Sequence, residues 1–209
     1  VLALGDDADN LRIDPRNGHV IVGYGSGALA VIDPVAMKKL QEIPLSGHPE
    51  SFRLSGSRVF INVPDAGQIA VADLDSTKII AIWTPRFSSN FPMTLDDSGD
   101  VGVVFRGQSK LALLDPNSGI VIAAADTCGD ADDLFFDQKR KYFYISCGAG
   151  MVDVIGHDQT GLRLLSHVRT ALGTRTSLFV PELDRLFVAE RAGMLGSAAS
   201  ILIFRTSPN

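Results

Sequence analysis

Polar side chains of ligand type recur at matching places along the chain. Asp6, Asp7, Asp9 and Asn10 come first, then His48 and Glu50, then Asn90, then Asp130, Asp132 and Asp133, then Arg175 and Thr176. Carboxylates and amides are hard oxygen ligands, suited to a divalent cation such as Ca²⁺ or Mg²⁺. His48 adds a nitrogen donor of the kind a transition metal takes. The same groups would hold a small molecule or a peptide if they converged on one concavity. A structural reading stands beside these. Aspartate ahead of a strand commonly caps a turn by accepting from nearby backbone N–H groups, and channel carboxylates can pair with Arg175 or Arg191. Asp132 and Asp133 resemble an acid–base pair, but neighbours on a strand point to opposite faces, so adjacency does not make a dyad.

Other chemistries find no support. There is no G-x-S-x-G elbow, no HExxH and no paired CxxC, and no haem-attachment C-x-x-C-H. The glycine-rich run GYGSG lacks the lysine and the helix of a phosphate loop. No catalytic residue is assigned, and the metal, if any, is left open.

The elements that must position these residues are short strands. Gly18 to Asp33, GHVIVGYGSGALAVID, reads as two strands joined by a glycine-rich turn, with period-2 alternation on either side. The unit repeats. ALAVID, QIAVAD, KLALLD, MVDVIG and SILIFR end at Asp33, Asp73, Asp115, Gly156 and Arg205, at intervals of 40, 42, 41 and 49 residues. The long last interval holds the small-residue insertion AGMLGSAAS. HVIVGY, RVFINV, DVGVVF, KYFYIS and RLFVAE recur in step before them, and KLQEIPL, KIIAIWT, IVIAAAD and LRLLSHV after the first four. Each unit is thus four antiparallel strands, A to D. A sandwich also stacks short strands, but a homogeneous period in this range favours propeller blades.

The expected architecture is an all-β propeller of five four-stranded blades. The blades lie at about 8–48, 49–89, 90–129, 130–174 and 175–209, and residues 1–5 complete the last one. Val1 to Leu4 reads as a strand D for the fifth unit, closing the ring and removing its exposed edges. In such a ring the D–A loops deliver the polar set above to one mouth of the channel. The B–C loops add Tyr24, Asn62, Arg106, Cys147, Glu190 and Arg191 at the same end. Asp33, Asp73 and Asp115 close strand C before a turn and read as caps. Trp83, Phe52, Phe91, Phe135 and Phe179 read as packing between blades. His19, His157 and His167 read as surface residues.

The chain has 209 residues, 45% of them hydrophobic and 21% charged, which is ordinary for one globular domain. A net charge of −5 argues against nucleic acid or an anionic membrane as the main partner. No apolar run spans a bilayer, and the opening residues lack a signal-peptide pattern. Cys128 lies in a D–A loop and Cys147 ends strand B of the same unit, so the two can approach within disulfide range. Two free thiols are the other reading. A bridge would place the chain in an oxidising compartment.

GDDADNLRIDPRNGHVIVGYGSGALAVIDP, GHPESFRL, INVPDAGQIAVADL, NFPMTLD, GDADDLFFD and TSLFVPELDRLFVAE together resemble the YVTN-type β-propeller repeat proteins of bacteria. The resemblance runs across nearly the whole chain. It implies an exported protein, periplasmic or extracellular, and a scaffold that binds a ligand or a protein at its acidic channel mouth. Related propellers include lactonases, so a metal-dependent hydrolase is the alternative expectation. The family typically has seven blades, two more than this chain carries. The chain is then either a shorter ring or a structural fragment of a larger one.

Overall fold

The computed structural model describes residues 2–5, 7–193 and 198–206. Among the described residues nineteen strands form five antiparallel sheets, each built from consecutive strands. The first holds β1 (Leu11–Ile13), β2 (Val20–Tyr24), β3 (Ala28–Asp33) and β4 (Lys38–Pro44). The second holds β5 (Phe52–Ser55), β6 (Arg58–Val63), β7 (Gln68–Asp73) and β8 (Lys78–Trp83). The third holds β9 (Asn90–Leu95), β10 (Val101–Phe105), β11 (Lys110–Leu114) and β12 (Val121–Asp126). The fourth holds β13 (Ala131–Asp137), β14 (Tyr142–Cys147), β15 (Met151–Asp158) and β16 (Gly161–Arg169). The fifth has three strands, β17 (Thr176–Val180), β18 (Arg185–Glu190) and β19 (Ser200–Arg205).

Burial explains the composition of each strand type. The second and third strands of a sheet are covered on both faces, so they read as near-continuous apolar runs such as ALAVI, VFINV and VGVVF. The outermost strands face solvent on one side, and KIIAIW and VIAAAD alternate accordingly. In all four complete sheets the ladder between the third and fourth strands carries a register shift, at Val31/Ile32, Val71/Ala72, Leu113/Leu114 and Val154/Ile155. A bulge bends its strand and raises the local twist, and here the same device recurs in each of the four complete sheets.

Successive sheets pack face to face. Phe52, Ile61 and Val63 meet Ile21, Leu29 and Ile43 between the first two sheets. Phe60, Ile69 and Trp83 meet Met93, Val103 and Phe105 between the next two. Leu111 and Leu113 meet Phe143 and Ile145, and Tyr144 and Val152 meet Leu186 and Val188. Trp83 and Phe60 stack with ring centroids 5.5 Å apart. Phe135 and Phe179 pack at 6.4 Å between the fourth and fifth sheets.

Among the described residues the expected closing strand is not seen beside the last sheet. Leu2 and Leu4 have no strand pairing and instead pack against Val22, Ala30 and Ile32 on the free face of the first sheet. That face is apolar and, among the described residues, uncovered by any other sheet, so burying two leucines there is favourable. The fifth sheet keeps three strands. Among the described residues no buried cluster joins it to the first sheet. Ile201 and Ile203 are each 60% exposed. Val1, the first residue of the expected closing strand, lies outside the described residues.

Aspartates pin the turns. Asp33, Asp73 and Asp115 cap the turns after the third strands, accepting from the N–H of Val35 and Ala36, of Ser76, and of Asn117 and Ser118. Asp14, Asp96 and Asp137, all buried, do the same between the first and second strands. Hydrogen bonds from the Ser57 hydroxyl and from the N–H and hydroxyl of Ser76 hold Asp73 down at about 2. A folded-state value below the unfolded one of about 3.9 gives stability that is present above pH ~4 and lost as pH falls toward 2. Urea midpoints at pH 6, 4 and 2.5 should therefore fall less steeply in Asp73→Asn than in the parent. Equal slopes would remove the cap from the acid response.

Candidate functional site

The innermost strands of all five sheets, with the residues leading into them, surround one cavity of about 230 Å³. Asp9, Asn10 and Arg12 reach it from the first sheet, Glu50, Ser51 and Arg53 from the second, and Phe91 to Met93 from the third. Asp132 to Leu134 and Thr176 complete the wall from the fourth and fifth. The backbone fixes these positions by extending each innermost pairing beyond the strand proper. Asp9 N–H donates to Gly23 O at 3.0 Å, Glu50 N–H to Asn62 O at 3.0 Å and Asn62 N–H to Ser51 O at 2.9 Å.

Six of the residues expected at the mouth line this cavity: Asp9, Asn10, Glu50, Asp132, Asp133 and Thr176. Others stand at its rim in an ion-pair network. Asp130 takes Arg175 with both carboxylate oxygens at 2.8 Å. Asp132 pairs with Arg106 and lies 3.4 Å from Arg175 Nε. Arg106 also donates from Nε to Ala131 O at 2.6 Å and lies over the Phe91 ring, 3.8 Å from its centroid. Gly148 leaves room for this network, since a Cβ there would stand 2.0 Å from Asp130 Oδ2. Much of the acidic cluster is thus neutralised inside the protein.

The remaining expected residues are used structurally. Asn90 is buried and donates to Asn62 Oδ1 at 3.0 Å and Gln68 O at 2.8 Å, tying the third sheet to the second. It is an interior amide, not a channel ligand, because its sheet packs directly on the preceding one. His48 Nδ1 sits 2.6 Å from Gly25 O and 3.7 Å from Asp7, pinning the loop between the first two sheets. Glu190 accepts from Ser200 Oγ at 2.6 Å, and Arg191 lies against Gly173, where a Cβ would come within 2.9 Å of its guanidinium. Neither residue lines the cavity. Tyr24 pairs with Glu42 and Lys39 of β4 and so belongs to the outer strand. Asp6 lies outside the described residues. Among the described residues no three His, Cys, Asp or Glu side chains are grouped as metal ligands.

Three features were not read from the sequence. Arg12 and Arg53 occupy the cavity wall; their only signal is one arginine between apolar neighbours in the innermost strands LRI and FRLS of two successive repeats. Phe91 faces the cavity instead of the inter-sheet core. Buried Asp153 accepts from Cys128 N–H at 2.8 Å and Thr127 Oγ1 at 3.0 Å and holds His167 Nδ1 at 2.5 Å, so His167, exposed as expected, is also tied to a buried carboxylate. Beside this network Cys128 and Cys147 form a disulfide.

Burial sets the electrostatics of the wall. Desolvation, helped by the charge of Asp9, pushes the Glu50 carboxyl up. Desolvation also raises Asp133, with Asp132 adding to it and the Ser177 N–H opposing. Desolvation lowers Arg12. Desolvation first, and the charge of Arg12 second, pull Arg53 down to about 9, still protonated at neutral pH.

A ring-like succession of antiparallel sheets around a polar cavity is the β-propeller fold. Among solved structures the chain resembles the Kuenenia stuttgartiensis hydrazine synthase, with TM-score 0.82 and 13% identity over 99% of this chain. It also resembles the Neurospora crassa Pan2 WD40 domain, with TM-score 0.77 and 13% identity over 96% of this chain. The chain spans 65% and 63% of those two chains. At this identity the likeness is one of fold. No family model and no curated protein matches the sequence. Among the described residues no helix is long and apolar enough to cross a membrane.

Proposed function

We propose that this protein is a non-enzymatic binding scaffold, a propeller whose central cavity takes a small polar ligand or the loop of a protein partner. One observation carries the reading: five sheets each send their innermost strand to a single polar cavity, and Asp9, Glu50, Arg12 and Arg53 face it without pairing to one another. Such a concavity with convergent polar groups is the general form of a binding site. The repeat pattern supports kinship with the YVTN-type propellers. The disulfide supports a periplasmic or extracellular setting, since such bonds persist in oxidising compartments.

A thermal-shift screen with polar metabolites and short peptides tests the scaffold reading. Compounds that stabilise the parent should lose their effect in an Asp9→Asn, Glu50→Gln double variant that keeps the parent melting temperature unliganded. Equal shifts in both proteins, or none in either, would contradict it.

A second reading concerns the ends of the array. The three-stranded fifth sheet, the exposed Ile201 and Ile203, and the exposed Leu11 and Ile13 of the first sheet favour further blades in the intact ring. Sedimentation of the isolated chain should then show self-association through these faces, whereas a strictly monomeric species at high concentration would speak against it.

A further inference from the structure

The two arginines in the cavity wall have no ion-pair partner among the described residues, although Arg12 lies over the Phe52 ring, 5.5 Å from its centroid. Arg12 donates only to Leu11 O at 2.6 Å and Asn10 Oδ1 at 3.3 Å. Arg53 reaches only Phe52 O at 3.0 Å and Ser51 Oγ at 3.4 Å. A guanidinium has five N–H donors in a fixed fork, so most of these donors are unused. Among the described residues no carboxylate oxygen lies within the 4.0 Å ion-pair distance of either group. Asp133, whose charge reaches both, has Ser177 N–H on its Oδ2 at 2.6 Å. Charges taken out of water are normally paired. Here two like charges share one cavity while the rim arginines, Arg106 and Arg175, are satisfied by Asp130 and Asp132.

The rest of the wall restricts the ligand. Asp9, Glu50 and Asp133 line the same cavity, and an ionised carboxylate offers only acceptors. They would repel a compact, highly charged anion such as phosphate and reward a ligand that also carries donors. A volume of about 230 Å³ lies below the range of about 300–1,000 Å³ of drug-sized sites. We infer that Arg12 and Arg53 form a receptor for a small organic carboxylate that also bears hydroxyl or ammonium groups, the carboxylate held by the guanidinium forks and the donors by Asp9, Glu50 and Asp133. Guanidinium forks match carboxylates bidentately, which an ammonium does not. The inference rests on the binding-scaffold reading above and names its ligand class.

Calorimetric titration of the parent with malate, lactate, glutamate and citrate, and with inorganic phosphate, tests it at low salt. At least one of the four carboxylates should bind saturably and more tightly than phosphate. Arg53→Gln and Arg12→Gln should each weaken that binding tenfold or more. Arg53→Gln should keep or raise the unliganded melting temperature, because it removes a repelled, unpaired charge; an arginine needed for folding would lower it. No binding by any of the four, binding unchanged in both variants, or phosphate bound most tightly would overturn the inference. If the carboxylates fail while a neutral or cationic compound, or a peptide, binds in an Asp9- and Glu50-dependent way, the ligand class is wrong and the scaffold reading stands. If nothing binds at the cavity, both fall.

Discussion

Phe143→Ala should cost about 3–5 kcal/mol of folding free energy, the range for deleting a fully buried aromatic ring. Phe143 has no exposed surface and fills the interface between the third and fourth sheets. Its ring packs against Phe136 at 4.8 Å between centroids, and Gly102 makes room for it, since a Cβ there would already stand 3.3 Å from Phe143 Cε1. The neighbours are strands fixed by hydrogen bonds on both sides, so the gap cannot collapse cheaply. The loss falls on the interface itself, and each sheet in such an array depends on its neighbours. Denaturant unfolding should show a lower midpoint with an unchanged slope. A loss under about 1 kcal/mol would mean that this interface does not carry the packing assigned to it.

The second large effect belongs to the disulfide. Cys128 and Cys147 are separated by 19 residues, and the bond ties the entry to β13 to the end of β14. A cross-link of that span is worth about 3 kcal/mol by restricting the unfolded chain. For a protein of this size each kcal/mol moves the melting temperature by about 2–4 °C, so reduction should lower it by roughly 6–12 °C. The Cys128→Ala, Cys147→Ala variant should melt where the reduced parent does. A shift of under ~2 °C on reduction would show that the ladder between the two strands and the Asp153 bonds already fix this segment.

The sheets were legible because their causes are local. Alternating or continuous apolar runs, punctuated by Asp-capped turns such as those at Asp33, Asp73 and Asp115, define strands whatever surrounds them. What depended on tertiary placement was less legible. Leu2 and Leu4 read as part of a strand because VLAL is apolar, but no register pins so short a run, and the open face of the first sheet captured the two leucines. Phe91 shares a recurring position with Phe52 and Phe135. A register shift between Val103 and Phe105 lies opposite its strand, and a one-residue slip exchanges the two faces. Asn90 looked like a ligand because a polar residue at a strand start usually meets water; Asn62 on the neighbouring sheet supplied the partner no local pattern announces. Arg12 and Arg53 were hidden for the opposite reason. A charged residue between apolar ones reads as a solvated face, and only the convergence of five innermost strands makes that face a cavity.

The measurement that bears most directly on the binding role is a backbone amide NMR map of the isotopically labelled protein during titration with the compounds that stabilise it. The account predicts shifts concentrated at Asp9 to Arg12, Glu50 to Arg53, Phe91, Met93, Asp132 to Leu134 and Thr176, on five separate strands at once. Shifts confined to the outer strands β4, β8, β12 and β16, or no saturable shift at the cavity residues, would contradict it.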